Sequence, residues 1–475
     1  MKAFDTENSV WARFSPEQRG QMEAYSVHYR QFLDTARTER LANKEIIRQA
    51  ENAGFHPLAD FTSLKAGDKV YWDQKGKSVI LAVIGSAPIE KGLKIVGSHI
   101  DCPRLDVKAM PVVEKNKIVY FKTHYYGGLL KYQWVCLPLS LVGVVYKADG
   151  SRVDVSIGED PGDPVLFIND LLPHLGKDQA AKKLSEAISG EMLMPLAGTN
   201  GEGEKTKPAI LTLLKEKYGI EEEDFTSAEL EIIPAVKSRD VGLDRSMIMS
   251  HGHDDRVCSY ANLAAILDAA PGEKTQVALF ADKEEIGSVG NTGVQSSYFP
   301  DFIAELLSLQ GHDQEIWLRR TLRNSEVLSA DVCAAFDPVF ADAYEEQNSA
   351  KLGYGICLCK YTGARGKAGS NDANAEFMAK IRRIFNEKEV PWQVGELGKV
   401  DQGGGGTIAY IMADWGCDVV DCGVAMHSMH APLEIVAKAD AYSGYLAYKA
   451  FFESKWYKRS CRIATAPFKL LVVSC

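Results

Sequence analysis

The sequence has no excess of positive charge: 54 Lys and Arg stand against 64 Asp and Glu, for a formal net charge of −10. That balance argues against a nucleic acid or an anionic membrane as partner. Long apolar runs are missing as well. The longest, Trp134 to Tyr146, is broken by Pro138 and falls short of the ~20 residues a spanning helix needs. No apolar signal core follows Met1-Lys2-Ala3-Phe4-Asp5-Thr6-Glu7. Ten cysteines are scattered without a Cys-x-x-Cys pair, although Cys357 and Cys359 lie close and Cys417 and Cys422 loosely so. Reduced, mostly buried thiols are therefore expected in place of disulfides, and the cytoplasm is the expected compartment.

What remains is an ordinary globular composition, 46% hydrophobic and 25% charged over 475 residues, enough for two or three domains and a large core. Helical periodicity predicts a hairpin of helices between residue 15 and Gly54, with Ser15-Pro16 as cap and first-turn pair. From Val70 the period shortens. Lys77–Gly85 and Lys94–Ser98 read as buried strands, the second running into His99-Ile100-Asp101. Short β-like segments then follow (Ile118–Phe121, Leu139–Tyr146, Val153–Val155), with Asp149-Gly150 as a hairpin turn. A polar stretch, Gly176–Pro208, and an acidic run, Glu221–Asp224, read as an oligomer-contacting or mobile segment and a solvated turn. The region from about 105 to 245 is thus expected to be a β-rich domain inserted into a mixed α/β one.

Polar residues recur where predicted elements end. His99 closes a strand, with Asp101 placed to orient it. Asp254-Asp255 stands at the start of a helix, where a capping role is also open. Glu284-Glu285 follows the apolar strand Thr275–Phe280, and Asp331 follows Val327–Ala330. His427 and His430 both follow the strand Val419–Val424. Gly403–Gly406 leads into a helix near Ile408 and lets backbone approach a ligand, but no Gly-Lys-Ser/Thr follows to make it a Walker motif. Strand ends of an α/β sheet converge on one crevice. Imidazoles and carboxylates meeting there, without clustered Cys, suggest a hydrolytic metal site. Charge favours two cations: Asp254, Glu285 and Asp331 with a hydroxide match two divalent ions. Glu284 is then left free as general base.

These residues sit in segments that resemble the M18 family of metallo-aminopeptidases, the aspartyl aminopeptidase family among the dinuclear zinc exopeptidases. The segments are Gly97-Ser98-His99-Ile100-Asp101-Cys102-Pro103, Asp254-Asp255-Arg256, Asp282-Lys283-Glu284-Glu285-Ile286-Gly287, Ser329-Ala330-Asp331 and Met429-His430-Ala431-Pro432, in the family's order. Tyr125-Tyr126-Gly127-Gly128 and Gly405-Gly406-Thr407 resemble further family segments. The likeness runs from about residue 10 to 455. It implies a mixed-sheet zinc-exopeptidase catalytic domain (1–104 and 246–475) carrying an inserted β-rich dimerisation and oligomerisation domain (105–245). It implies that His99, Asp254 and Asp331 hold one cation and Asp254, Glu285 and His430 the other, with Asp254 bridging. Zinc is the expected metal, with cobalt or manganese as substitutes. Glu284 becomes the base and Asp101 the partner of His99. His430 is preferred to His427 because Glu434 follows it by four residues, as in the family.

Departures concern the surroundings of the substrate. The family often has a His where Asp337 stands; its substrate-contacting Lys falls near Cys357, with Lys360 the nearest replacement; and of its Ile-Pro-His-Leu segment only His174 remains. The expected activity is removal of N-terminal residues, acidic ones among the candidates, from short peptides, in a homo-oligomer that by resemblance is a dodecamer. The competing readings are an aminoacylase or deacylase with the same metals, and a non-catalytic shell or cargo protein.

Overall fold

The computed structural model describes residues 8–200 and 205–455; the tail from Cys461 to Cys475, which carries no readable signal, lies outside them. The chain enters through two helices, Pro16–Thr35 and Glu39–Asn52. Ser15 and Gln18 cap the first reciprocally: Gln18 N donates to the Ser15 hydroxyl at 3.2 Å, and Ser15 N donates to the Gln18 amide oxygen at 2.9 Å. Tyr25 and Tyr29 pack their rings 5.2 and 5.4 Å from that of Tyr260, on the helix His253–Asp268, and so dock the hairpin onto the main body.

That body is a nine-stranded mixed sheet. Its centre is four parallel strands in the order Gln276–Ala281, Lys94–His99, Glu326–Ser329 and Asp418–Gly423. Their side chains are almost all buried because helices cover both faces, which explains continuous apolar runs in place of alternation. Register sets the site. Ala281 pairs with His99, and Ser329 pairs with both Gly97 and Asp421, so the carboxyl ends of these strands finish nearly level. Whatever follows them in sequence shares one rim.

A seven-stranded sheet, built from strands between Arg104 and Pro234, has its own core around Trp134, Leu141 and Ile232. The expected segments lie within its strands Ile118–Tyr126, Pro138–Tyr146 and Arg152–Ile157. The polar stretch ends in an unexpected helix, Thr206–Tyr218. The acidic run is a solvated turn only in part: it opens a short helix, Glu222–Ser227, whose Phe225 is buried 6.2 Å from the ring of Phe121.

A third sheet of five short strands joins Met247–Ser250, Glu434–Ala437, Ala425–His427 and Cys333–Ala334 to Arg239–Val241. Among the described residues, no helix is long and apolar enough to cross a membrane. Every described cysteine is a free thiol, and all but Cys136 are buried.

Candidate metal centre

His99 is the last residue of its central strand, and Glu284-Glu285 begins a single helical turn three residues past the end of the neighbouring one. Asp254 and Asp255 precede the regular turns of the helix His253–Asp268; their backbones are not helical, and the peptide between them is cis. Neither acts as a helix cap. Asp254 turns its carboxylate to two histidines, and Asp255 Oδ2 accepts the backbone N–H of His99 at 3.2 Å.

The two oxygens of Asp254 face different imidazoles. Oδ1 lies 3.2 Å from Nε2 of His99, and Oδ2 lies 3.2 Å from Nε2 of His430. Around these, Asp331 Oδ1 stands 3.7 Å from His99 Nε2, and Glu285 Oε2 stands 3.5 Å from His430 Nε2. Two ligands each about 2.0–2.1 Å from a tetrahedral cation are about 3.3 Å apart, so this spacing fits two cations sharing Asp254. Glu285 Oε1 is buried without a hydrogen-bond partner among the described residues, a costly state that a cation would relieve.

The opposite ring nitrogens are already committed. Nδ1 of His99 faces the carbonyl of Asp101 at 3.1 Å and its carboxylate at 3.3 Å; Nδ1 of His430 faces the carbonyl of Gly128 at 2.7 Å. Each Nδ1 can therefore donate to its carbonyl, which leaves each Nε2, here hydrogen-bonded to Asp254, as the nitrogen that a cation would take once its proton is lost. Asp101 also accepts the backbone N–H groups of Glu284 and Glu285, at 3.1 and 3.2 Å, and the phenol of Tyr126 at 2.8 Å. Glu434 spans the second half: its Oε1 accepts from His430 N at 2.8 Å and its Oε2 from Asp254 N at 3.1 Å.

Electrostatics point the same way. Burial first, then the Asp331 charge, raises the Glu284 carboxyl well above its ordinary range. Burial and then Asp254 do the same to Glu285. Burial opposes ionisation of Asp254 too, yet hydrogen bonds from His430 and His99 hold its pKa below the usual value. Burial acts against a charged His430, but Asp254 and Glu285 outweigh it and raise its pKa to about 11. Two imidazoles do not balance so many carboxylates, and divalent ions would.

The cluster opens into a cavity of about 420 Å³. Asp254, Glu284, Glu285, Asp331 and His430 line it together with Gly404–Gly406. Backbone crowds the first half of the glycine tract: a Cβ on Gly404 would meet the carbonyl oxygen of Gly363 at 2.3 Å, whereas Gly405 and Gly406 have room for one. His427 is elsewhere, 3.9 Å from Asp337. Lys360 is no replacement for a substrate-contacting lysine. It follows the end of the strand Ile356–Cys359, is not among the described residues that line the cavity, and pairs with Asp372. His174 is exposed, in the short helical turn Pro173–Leu175.

Two contributions were hidden from the sequence. Tyr126 and Gly128 reach the centre from the seven-stranded sheet, and a Cβ on Gly127 would stand 3.3 Å from Glu285 Oε2. Their segment, Tyr125–Gly128, carries a visible motif but no sign of what it touches. Glu434 is legible as a spacing after His430, and only the fold shows that it ties the backbones of Asp254 and His430 together.

The fold and this cluster define a class, the metallohydrolases of mixed α/β architecture. The family profile described as "Aminopeptidase I zinc metalloprotease (M18)" matches residues 32–452. A probable M18 family aminopeptidase 1 of Clostridium acetobutylicum is 48% identical over 455 residues, covering 94% of this chain and 98% of that protein. The crystal structure of an M18-family aminopeptidase from Thermotoga maritima matches with a TM-score of 0.90 at 47% identity, covering 94% of this chain and 98% of that one. Aminopeptidase I from Borrelia burgdorferi matches at 0.81 and 37%, covering 94% and 100%. The chain belongs to the M18 family of zinc aminopeptidases.

Proposed function

We propose that the protein is a two-cation aminopeptidase in which His99, Asp254 and Asp331 hold one ion and Asp254, Glu285 and His430 the other. The observation that carries this is the split of the Asp254 carboxylate, each oxygen 3.2 Å from a different imidazole. Zinc is the family's metal; cobalt and manganese suit the same imidazole and carboxylate donors. Bound there, the ions would activate a water and polarise the scissile carbonyl.

The chain's own residues do the rest. A carboxylate oxygen of Glu284 lies within 4.8 Å of the His99 and Asp331 donor atoms, beside the ligands without being needed among them. Glu284 takes the proton of the attacking water and returns it to the leaving amine. Asp101 holds the His99 ring and anchors the backbone of the Glu284-Glu285 turn. A single carboxylate thereby fixes the base relative to the metal ligands.

Tyr361, Leu397, Tyr410 and Met429 line the cavity, and among its described lining residues there is no Lys or Arg. These walls support a neutral or apolar N-terminal residue better than an acidic one, for which the described lining supplies no lysine or arginine. Comparing kcat/KM for leucyl-, methionyl- and aspartyl-p-nitroanilides tests this; the neutral substrates should lead, and an aspartyl lead would reverse the reading. N-acyl amino acids in the same assay separate the peptidase from a deacylase.

We infer further that residues 105–245 act as the oligomerising insertion in a catalytic unit made of 1–104 and 246–475. Leu171, Leu172, Leu175 and Leu184 are 46–67% exposed on it, an apolar patch suited to a second copy of the chain. A Saccharomyces cerevisiae protein of the same fold, 19% identical, has been described as a dodecamer. Light scattering of the wild type and of Leu172→Glu tests the patch; an unchanged mass would exclude it.

A further inference from the structure

Cys333, Cys357 and Cys359 bring three thiols together beside the cavity, apart from the ligands described above. Cys357 and Cys359 stand two residues apart on the strand Ile356–Cys359, so the pleat turns both to one face. Cys333 reaches them from the third sheet. The Cys359 sulfur lies 3.6 Å from that of Cys357 and 3.5 Å from that of Cys333, and all three fall within 4.8 Å of one another. None is more than 7% exposed.

The surroundings are kept small. Ala335, Ala350 and Ala425 complete this cluster. Gly395 closes it, and a Cβ there would meet the sulfurs of Cys357 at 2.5 Å and Cys333 at 2.8 Å. Core packing alone has no need to gather three sulfurs, since alanine or valine fills such a space without a reactive group.

Thiolates about 2.3 Å from a shared cation stand about 3.8–4.0 Å apart in tetrahedral or trigonal geometry. The observed 3.5 and 3.6 Å lie within a few tenths of that. A disulfide, at about 2.05 Å, would require one pair to close by well over an ångström and would strand the third thiol. Soft sulfur donors select soft cations over the hard ions that carboxylates favour.

We propose that Cys333, Cys357 and Cys359 form a site for one thiophilic cation of the Cu(I) or Cd(II) kind, separate from the carboxylate–imidazole centre. Each thiol that ligates gives its proton to solvent, so no redox partner is involved. Because Cys333 and Cys359 line the same cavity as Asp331 and Glu284, the occupied site puts a cation in the wall of the substrate cavity. Peptidase activity falls as it fills.

The test is a Cd²⁺ titration of the zinc-loaded protein, followed by the ultraviolet sulfur-to-cadmium charge-transfer band, which oxygen and nitrogen ligands do not give. The band should saturate at one cadmium per chain. It should be lost in Cys333→Ser, Cys357→Ser and Cys359→Ser and persist in Cys417→Ser and His430→Ala. Its absence from the wild type, or its survival in all three serine variants, would overturn the proposal. Cadmium NMR on the wild type needs no variant to fold: a resonance in the sulfur-rich range supports the site, and one only in the oxygen and nitrogen range removes it.

Discussion

Tyr126 donates its phenolic hydrogen to Asp101 at 2.8 Å, which ties a strand of the seven-stranded sheet to the carboxylate that supports both His99 and the Glu284-Glu285 turn. Asp101 is fully buried, so its ionised form depends on these donors. Tyr126→Phe keeps the ring, which stacks on Arg104 at 3.9 Å, and removes only the hydroxyl. Zinc affinity should fall about 10–100-fold, the usual cost of losing a partner behind a ligand. Competition with a chelator of known affinity measures it, and unchanged affinity would show that Tyr126 serves packing alone.

Glu284 and Glu285 are adjacent and should fail differently. Glu284→Gln should retain both metals by elemental analysis and lose about 10²–10⁴-fold in kcat. Glu285→Gln should lose one metal. If Glu284→Gln kept full turnover with metal bound, the base would have to be sought elsewhere.

His430 and His427 offer a parallel contrast. His430→Ala should drop one metal per chain, because its Nε2 is the nitrogen facing Asp254 and Glu285. His427→Ala, whose nearest charged partner is Asp337, should keep both.

Glu434→Ala orphans two backbone donors, those of Asp254 and His430. At about 1–3 kcal/mol for each buried donor left unpaired, the loss should appear in the denaturant midpoint, together with weaker zinc binding. A variant as stable as wild type would mean that water replaces the carboxylate.

Lys94 carries a pH signature remote from the metals. It is buried beneath the final helix and donates to the carbonyls of Phe451 and Ser454. Burial, aided by Lys380 and Lys274 and opposed by Glu326, lowers its pKa to about 7. Between that value and the ~10.4 of an unfolded lysine, the unfolded state binds more protons, so stability rises with pH there. The penalty is complete below pH ~7 and vanishes near pH ~10. Relative to wild type, Lys94→Met should therefore gain most in Tm near pH 6 and lose that advantage toward pH 10. A pH-independent difference would refute the shifted lysine.

The central strands were legible because burial on both faces writes uninterrupted apolar runs, and each run ended in the residue that now lines the rim: His99, Glu284-Glu285, Asp331. The third sheet was not, since strands such as Cys333–Ala334 are too short to show a period. The helix Thr206–Tyr218 is masked for another reason: its apolar residues are not confined to one stripe, since Ile210, Leu211 and Leu214 pack on the core while Leu213 is 60% exposed. Lys360 shows that nearness in sequence is not nearness in space: it follows Cys359, which lines the cavity, yet pairs with Asp372. Tyr126 reaches Asp101 across 25 residues and Gly128 reaches His430 across 302, and no local pattern records either pairing.

The carbonyl of Gly128 that orients His430 belongs to a loop delivered by the sheet whose outer surface is proposed to meet other subunits. Excising that sheet to obtain a minimal monomeric peptidase would thus remove an acceptor from His430, the proposed metal ligand, and a donor from Asp101. Efforts to miniaturise the enzyme should keep the strand Ile118–Tyr126 and its glycine pair, and dissolve the assembly by changing surface leucines.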